Sequence, residues 1–503
     1  MSLRELPAHP NLEHLKKQAR TLLRDAQASN GEAEARFAAC DITTSPKLAD
    51  ALHVIAREYG FDTWPALKLH VETASAEPAD VLSAAIKANN AAMARELLSR
   101  HPELRARINE PLPNHSFDMP AIVVAAEKQN REMADALLDS GANINERSRW
   151  WAGGFGVLDF ANPELATYLI SRGAMVDIHA AARLDMPERV RAFLAADPHQ
   201  VHERGGDGQL PLHFASTVEI AAMLLDAGAD VDARDIDHES TAAQYMVSIA
   251  PQRHEVARFL VARGAETDIL MAAALGDLAL VERIVNDDPD SVRTTVTERY
   301  FPKRDPRAGG HIYNYGFGWT KSAQMIAHQF GHMDVFALLM QRSAPWLRLL
   351  SAAEVGDEAY FHKILEKSPQ LLQKLSVNSR RIIGVATRNN TRAMKMLLAA
   401  GWPANPAMES GQTALHFASW HGNIEMVREL IAHQAPINVF ENEHGGSPLA
   451  WALHGSLNGW ARDKGDYPAV VRALLAAGAE VPRPEKPLEA TAEVLKIIRE
   501  HTS

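Results

Sequence analysis

One stretch constrains this chain more than any other. Gly411 to Asn438, GQTALHFASWHGNIEMVRELIAHQAPIN, reads as a complete helix–turn–helix unit that recurs, more worn, along most of the sequence. Thr413 opens a short helix whose apolar face is Leu415, Phe417 and Ala418, and Gly422 with Asn423 stops it in a tight turn. Ile424, Met426, Val427, Leu430 and Ile431 then recur at helical spacing, and Pro436 and Asn438 turn the chain outward. Two helices this short cannot bury their apolar faces on each other alone, so each unit must stack on the next.

Gly411, Thr413, Leu415, His416, Ala418 and Gly422 stand at the signature positions of a known unit, and the pattern resembles the ankyrin repeat. Ala414 replaces that family's usual Pro and Gln434 its second Gly. The resemblance implies an all-α solenoid of about twelve units over residues 78–482, with a partner read by the turns before each first helix and by the positions before its closing Gly. One group of units ends in a G-A motif, at SGANIN, SRGAMVD, DAGADVD, ARGAETD and AAGAEVP, and at AAGWPAN with Trp402 in place of the Ala. Another ends in an x-Pro step at Pro102, Pro198, Pro289 and Pro369, and the 80 to 96 residues between these suggest a duplicated block of roughly three units. LDFANPELATYL and LHFASTVEIAAMLL share a shortened turn, in keeping with that duplication.

Residues 1–75 lack the template. NLEHLKKQARTLLRDA, EAEARFAA, KLADALHVIAREYG and TWPALKLHVE predict four helices, which resemble a helical module found ahead of ankyrin arrays in bacterial proteins. Residues 483–503 predict a charged capping helix. Of the 503 residues 46% are hydrophobic and only 6% aromatic, as suits an Ala/Leu-rich helical array. A single cysteine, Cys40, excludes a disulfide framework and points to a reducing, cytoplasmic setting. No apolar run suggests a membrane span, and a net charge of −11 opposes a broad nucleic-acid surface. No cofactor motif is present: the sequence contains no G-x-S-x-G, G-x-G-x-x-G or Walker-type loop.

Three loops depart from the template, at 148–156, 298–321 and 454–468, and each combines Gly with aromatics. Such loops must pack either on the repeats or on a ligand. The residues expected to meet a protein or peptide partner, or a small ligand, are Trp150, Trp151, Phe155, His311, Tyr313, Tyr315, Trp319, Trp420, His421, His454 and Trp460, with Glu127, Lys128 and Arg388 setting specificity. Trp420 and His421 occupy the two variable positions of the template unit. The competing reading is an enzyme or receptor in which His421, Glu443, His444 and His454 converge as an acid–base cluster. His213 and His416 fall at the family's structural His, which ties the turn to the helix. His328 and His332 share a helical spacing, but Gln329 stands where a zinc protease needs Glu, so no metal site is expected.

Overall fold

The computed structural model describes every residue except 1–3, 5, 8, 9, 41, 43–45, 62, 65, 66, 69, 70, 72–76, 114, 483–487 and 503. Half of the predicted helix TWPALKLHVE, and the boundaries expected near 75 and 483, lie outside the described residues. Among the described residues the regular elements are all helical. The β contacts are four isolated bridges, Pro111 with Pro120, Arg234 with Thr241, Thr295 with Ser322 and Ala407 with Thr413, each at the base of a turn that precedes a helix.

The chain divides into two compact units. The first holds residues 1–184 with 204–209. Its opening helices, Leu12–Gln27, Gly31–Ala38 and Leu48–Glu58, bury Leu15, Leu22, Phe37, Val54 and Ile55 in a cluster of their own. Glu58 is buried there and is neutralised by Arg36 at 2.6 Å. Helix pairs at Pro78–Lys87 with Ala91–Arg100, Ala121–Glu127 with Arg131–Asp139 and Val157–Phe160 with Pro163–Ser171 share a second core built on Ile86, Leu98, Ile122, Val124, Leu137 and Leu169.

The second unit holds residues 185–203 with 210–503. Its helix Ala414–Trp420 packs between Arg381–Thr387 and Pro448–Asn458, and helix Ile424–Ala432 packs between Thr391–Ala399 and Tyr467–Ala476. The last described helix, Ala492–Thr502, lies on Tyr467–Ala476 and buries Val494, Ile497 and Ile498.

The local chemistry of several repeats is a left-handed residue followed by a cap. Asn89, Gln129, Asn389 and Gly422 have φ between 53° and 63°, which reverses the chain after the first helix. Asn90, Asn130, Asn390 and Asn423 follow them, and each side chain accepts an N–H in the first turn of the second helix. The Asn130 amide also donates to Asn89 at 2.7 Å and that of Asn423 to Asn389 at 2.6 Å, so caps bridge consecutive repeats. The second helix then ends in a glycine of φ near 100°, as at Gly173, Gly228 and Gly264. Gln434 takes the same role with φ 61°, at the cost a side chain carries in that region. The shortened turns at 158–169 and 212–225 leave first helices of only four residues, Val157–Phe160 and Pro211–Phe214.

His213 and His416 do the same work in two repeats. Nδ1 of His416 accepts the Thr413 N–H at 3.1 Å, and Nε2 lies 3.1 Å from the Gly446 carbonyl of the next turn. His213 pairs in the same way with the Leu210 N–H and the Ser240 carbonyl. His332 is likewise occupied, with Nε2 at 3.1 Å from the Ala274 carbonyl.

Candidate functional site

The turn at 441–446 is organised by one buried carboxylate. Glu441 is 2% exposed, and it accepts the N–H groups of Glu443 at 2.7 Å, His444 at 3.0 Å and Gly446 at 3.0 Å. Burial alone would raise its carboxyl, but these donors outweigh burial and hold it below the usual carboxylate range. Closed on itself in this way, the turn presents Glu443 and His444 to solvent, and 79% of the His444 side chain is exposed.

Two helices and a loop wall a cavity beside that turn. Phe417 and Trp420, three apart on Ala414–Trp420, share one helix face, and so do Trp451 and His454 on Pro448–Asn458. Their rings interlock: Phe417 meets Trp451 at 5.3 Å, Trp420 meets Trp451 at 5.9 Å, and Trp420 lies 5.7 Å from His454. Trp460 closes one side, edge-on to Trp420 at 6.0 Å, and is 66% exposed. The cavity is about 550 Å³ and is rimmed by Glu441, Glu443 and His444.

The loop that carries Trp460 is held by close backbone approach. The Tyr467 hydroxyl donates to the Trp420 carbonyl at 2.8 Å, and the Asp466 N–H donates to the Gly422 carbonyl at 2.9 Å. A Cβ at Gly459 would sit 2.3 Å from the Tyr467 hydroxyl and 2.5 Å from the Gly455 carbonyl, so only glycine fits.

Of the residues singled out in the sequence, Trp420, Glu443, His444, His454 and Trp460 line this cavity together. His421 does not. It is buried, its Nε2 lies 2.9 Å from the Thr387 carbonyl, and its ring packs against Trp460 at 5.4 Å. Burial pushes its pKa down, against the pull of that carbonyl, so the ring is neutral and its Nε2 proton is already donated. The four-residue acid–base cluster is therefore not assembled.

The other aromatic loops correct the expectation in the same direction. Tyr313 is fully buried and donates to Asp268 at 2.9 Å, so it anchors the 298–321 loop and presents no surface. His311 is buried beside Phe301 at 4.4 Å, and burial pulls it down to about 3. Tyr315, 60% exposed, and Trp319 face outward on the same loop. In the first unit Phe155 is buried against Gly206, while Trp150 and Trp151 are half-buried, with Trp150 edge-on to Phe117 at 4.9 Å. Arg388 is also internal, ion-paired with the buried Glu354, whereas Glu127 is exposed.

The lining residues that escaped the sequence reading include Phe417, Trp451 and Glu441. Trp451 was accessible from its spacing, because it precedes His454 by three on a helical stretch and must share its face.

Residues 382–484 match the family described as ankyrin repeats (3 copies), and residues 207–236 match the ankyrin repeat. The chain is an ankyrin-repeat protein. A stretch of 116 residues is 33% identical to the probable E3 ubiquitin-protein ligase XBOS32 of Oryza sativa subsp. japonica, and covers 22% of this chain and 23% of that relative. The chain thus spans less than a quarter of the length of the curated relative it matches. In this ankyrin-repeat chain the aromatic cavity, residues 412–460, falls wholly inside the three-copy match. Among the described residues no helix is long and apolar enough to cross a membrane.

Proposed function

We propose that the chain is an intracellular recognition scaffold for a protein or peptide partner. In this reading about twelve repeats over 78–482 stand between a helical module at 1–75 and a capping helix at 483–503. The partner lies along the groove formed by the repeat turns and inserts one side chain between Trp420, Trp451 and Trp460.

The observation that carries the reading is the pairing of three indoles with carboxylates at one rim. Indole faces attract cations, and Glu443 adds a charge that a lysine or arginine head would meet while its methylene stem lies on the rings. Trp-rich pockets of this kind supply most of the binding energy in protein interfaces. The rival acid–base reading is disfavoured because His421 is committed to the backbone and lies outside the cavity. No cofactor or metal is required for recognition, and neither a membrane nor a nucleic acid is invoked.

Selection of a random peptide display library on the intact chain tests this. Enriched peptides should converge on a motif with a central Lys or Arg, and Trp460→Ala and Glu443→Gln should each lose that enrichment. A converged motif lacking a basic residue, or equal enrichment on Trp460→Ala, would overturn it.

A further inference from the structure

A second cavity in the same compact unit has a different character. It is about 640 Å³, within the range of small-molecule sites, and opens between the enlarged turn at 293–322, helix Pro345–Val355 and the segment 378–410. Arg293, Arg299, Arg380, Arg381 and Arg388 line it, against only two carboxylates, Glu354 and Glu409. In a chain of net charge −11 that is a local reversal of sign.

The arginines are arranged in two tiers. Arg381 and Arg388 are partly covered at the base, and Arg293, Arg299 and Arg380 are exposed at the rim. Arg388 is committed to Glu354. Arg381 is held in place by neutral acceptors, with Nη1 donating to Thr295 Oγ1 at 3.0 Å and Nη2 to the Arg293 carbonyl at 2.8 Å. Among the described residues neither Arg381 nor Arg299 has a carboxylate within ion-pair distance, and Arg299 lies over the Tyr300 ring at 5.6 Å. Burial lowers Arg381 below its ordinary value against the pull of the Tyr300 side chain, and the nearby charges of Arg299 and Arg293 add a smaller push in the same direction as burial. The one ion pair made by Arg380, to Glu409 at 3.7 Å, is to a side chain that is 95% exposed and contributes little. Hydroxyls of Thr295, Thr297, Thr320 and Ser410 also line it, together with an apolar part from Leu347, Leu350 and Met408.

Guanidinium groups held by their neighbours and grouped with hydroxyls around one hollow match the fork geometry of oxyanions. We propose that this cavity binds a small ligand carrying two or more oxyanion groups, phosphoryl or carboxylate. A volume of about 640 Å³ suits a small molecule better than an extended polyanion, which would track a longer basic groove. The site does not depend on the peptide-recognition reading, because its lining shares no residue with the aromatic cavity.

Thermal unfolding of the full chain against pyrophosphate, citrate and a short single-stranded DNA tests the assignment. Pyrophosphate or citrate should raise the midpoint in a concentration-dependent way, and the larger response identifies the ligand as phosphoryl or carboxylate. The double variant Arg299→Gln, Arg380→Gln removes only exposed rim charges, so it should unfold at the same temperature as the parent without ligand. Its affinity for the small anion should fall by about tenfold or more. Arg428→Gln, an exposed arginine on another helix, should bind as the parent does. No response to either small anion, or an undiminished response in the double variant, would overturn the proposal. So would a response to DNA stronger than to both small anions and lost in the double variant.

Discussion

Nε2 of His421 lies 2.9 Å from the carbonyl oxygen of Thr387, thirty-four residues earlier, so one repeat is pinned to the next by an imidazole fixed as a donor. The same use of a neutral ring recurs at His416, where burial also lowers the pKa, whereas His311 accepts the nearby Tyr313 N–H at 3.2 Å and burial pulls its pKa down to about 3. His421 and His416 are thus spent on joining backbone segments.

A pH prediction follows from the sign of those shifts. The native pKa of His311 lies below the unfolded value of about 6.5, so as pH falls the unfolded chain takes up the proton first. Its contribution is complete above about pH 6.5 and is lost below it, at about 1 kcal/mol per pH unit. Asp235, raised to about 6 by burial, runs the opposite way and is unchanged in the comparison that matters. Urea midpoints measured from pH 7.5 to 5.5 should fall less steeply in His311→Asn than in the parent, whatever the starting stability.

His416→Ala should be costly. It leaves the Thr413 N–H and the Gly446 carbonyl without their partner in a buried place, worth about 2–3 kcal/mol together. Chemical denaturation of His416→Ala and of His213→Ala, which removes the equivalent pair, should give losses of similar size.

Glu441→Ala should loosen one turn more than the whole chain. Three N–H groups lose their acceptor at once, and the expected cost is about 2 kcal/mol. Hydrogen exchange read by mass spectrometry should quicken over 442–446 while Ile424–Ala432 keeps its protection.

Gly459→Ala tests the packing of the Trp460 loop. The added Cβ meets the Tyr467 hydroxyl and two backbone carbonyls below 3.0 Å, so the loop must move, at a cost of about 1–3 kcal/mol. The fluorescence of Trp460 should shift, and the change should be absent in a Gly478→Ala control, where a Cβ meets nothing within 4 Å and only the backbone is strained.

The repeat itself was legible because its determinants are local: apolar spacing, a left-handed residue, an Asn cap and a glycine stop all lie within one unit. The fate of the loop aromatics was not. Tyr313 and Tyr315 read alike in sequence, yet they sit two apart on the helical turn Tyr313–Gly316, so one is fully buried and the other 60% exposed. Which of them points inward depends on Asp268, forty-five residues away. The arginine cavity was hidden for the same reason, since Arg293 and Arg381 are brought together only by the stacking of successive repeats. His421 looked like part of a solvent-facing pair because its partner is a backbone carbonyl, which leaves no mark in a sequence.

The most direct test of the recognition account is calorimetric titration of the parent and of Trp460→Ala with the best basic peptide from the display selection. Trp460 is exposed and its removal should leave the fold intact, so the comparison reads binding alone. The account predicts that Kd rises by about thirtyfold or more, the loss of about 2 kcal/mol expected of a tryptophan hot spot. An unchanged Kd would contradict it.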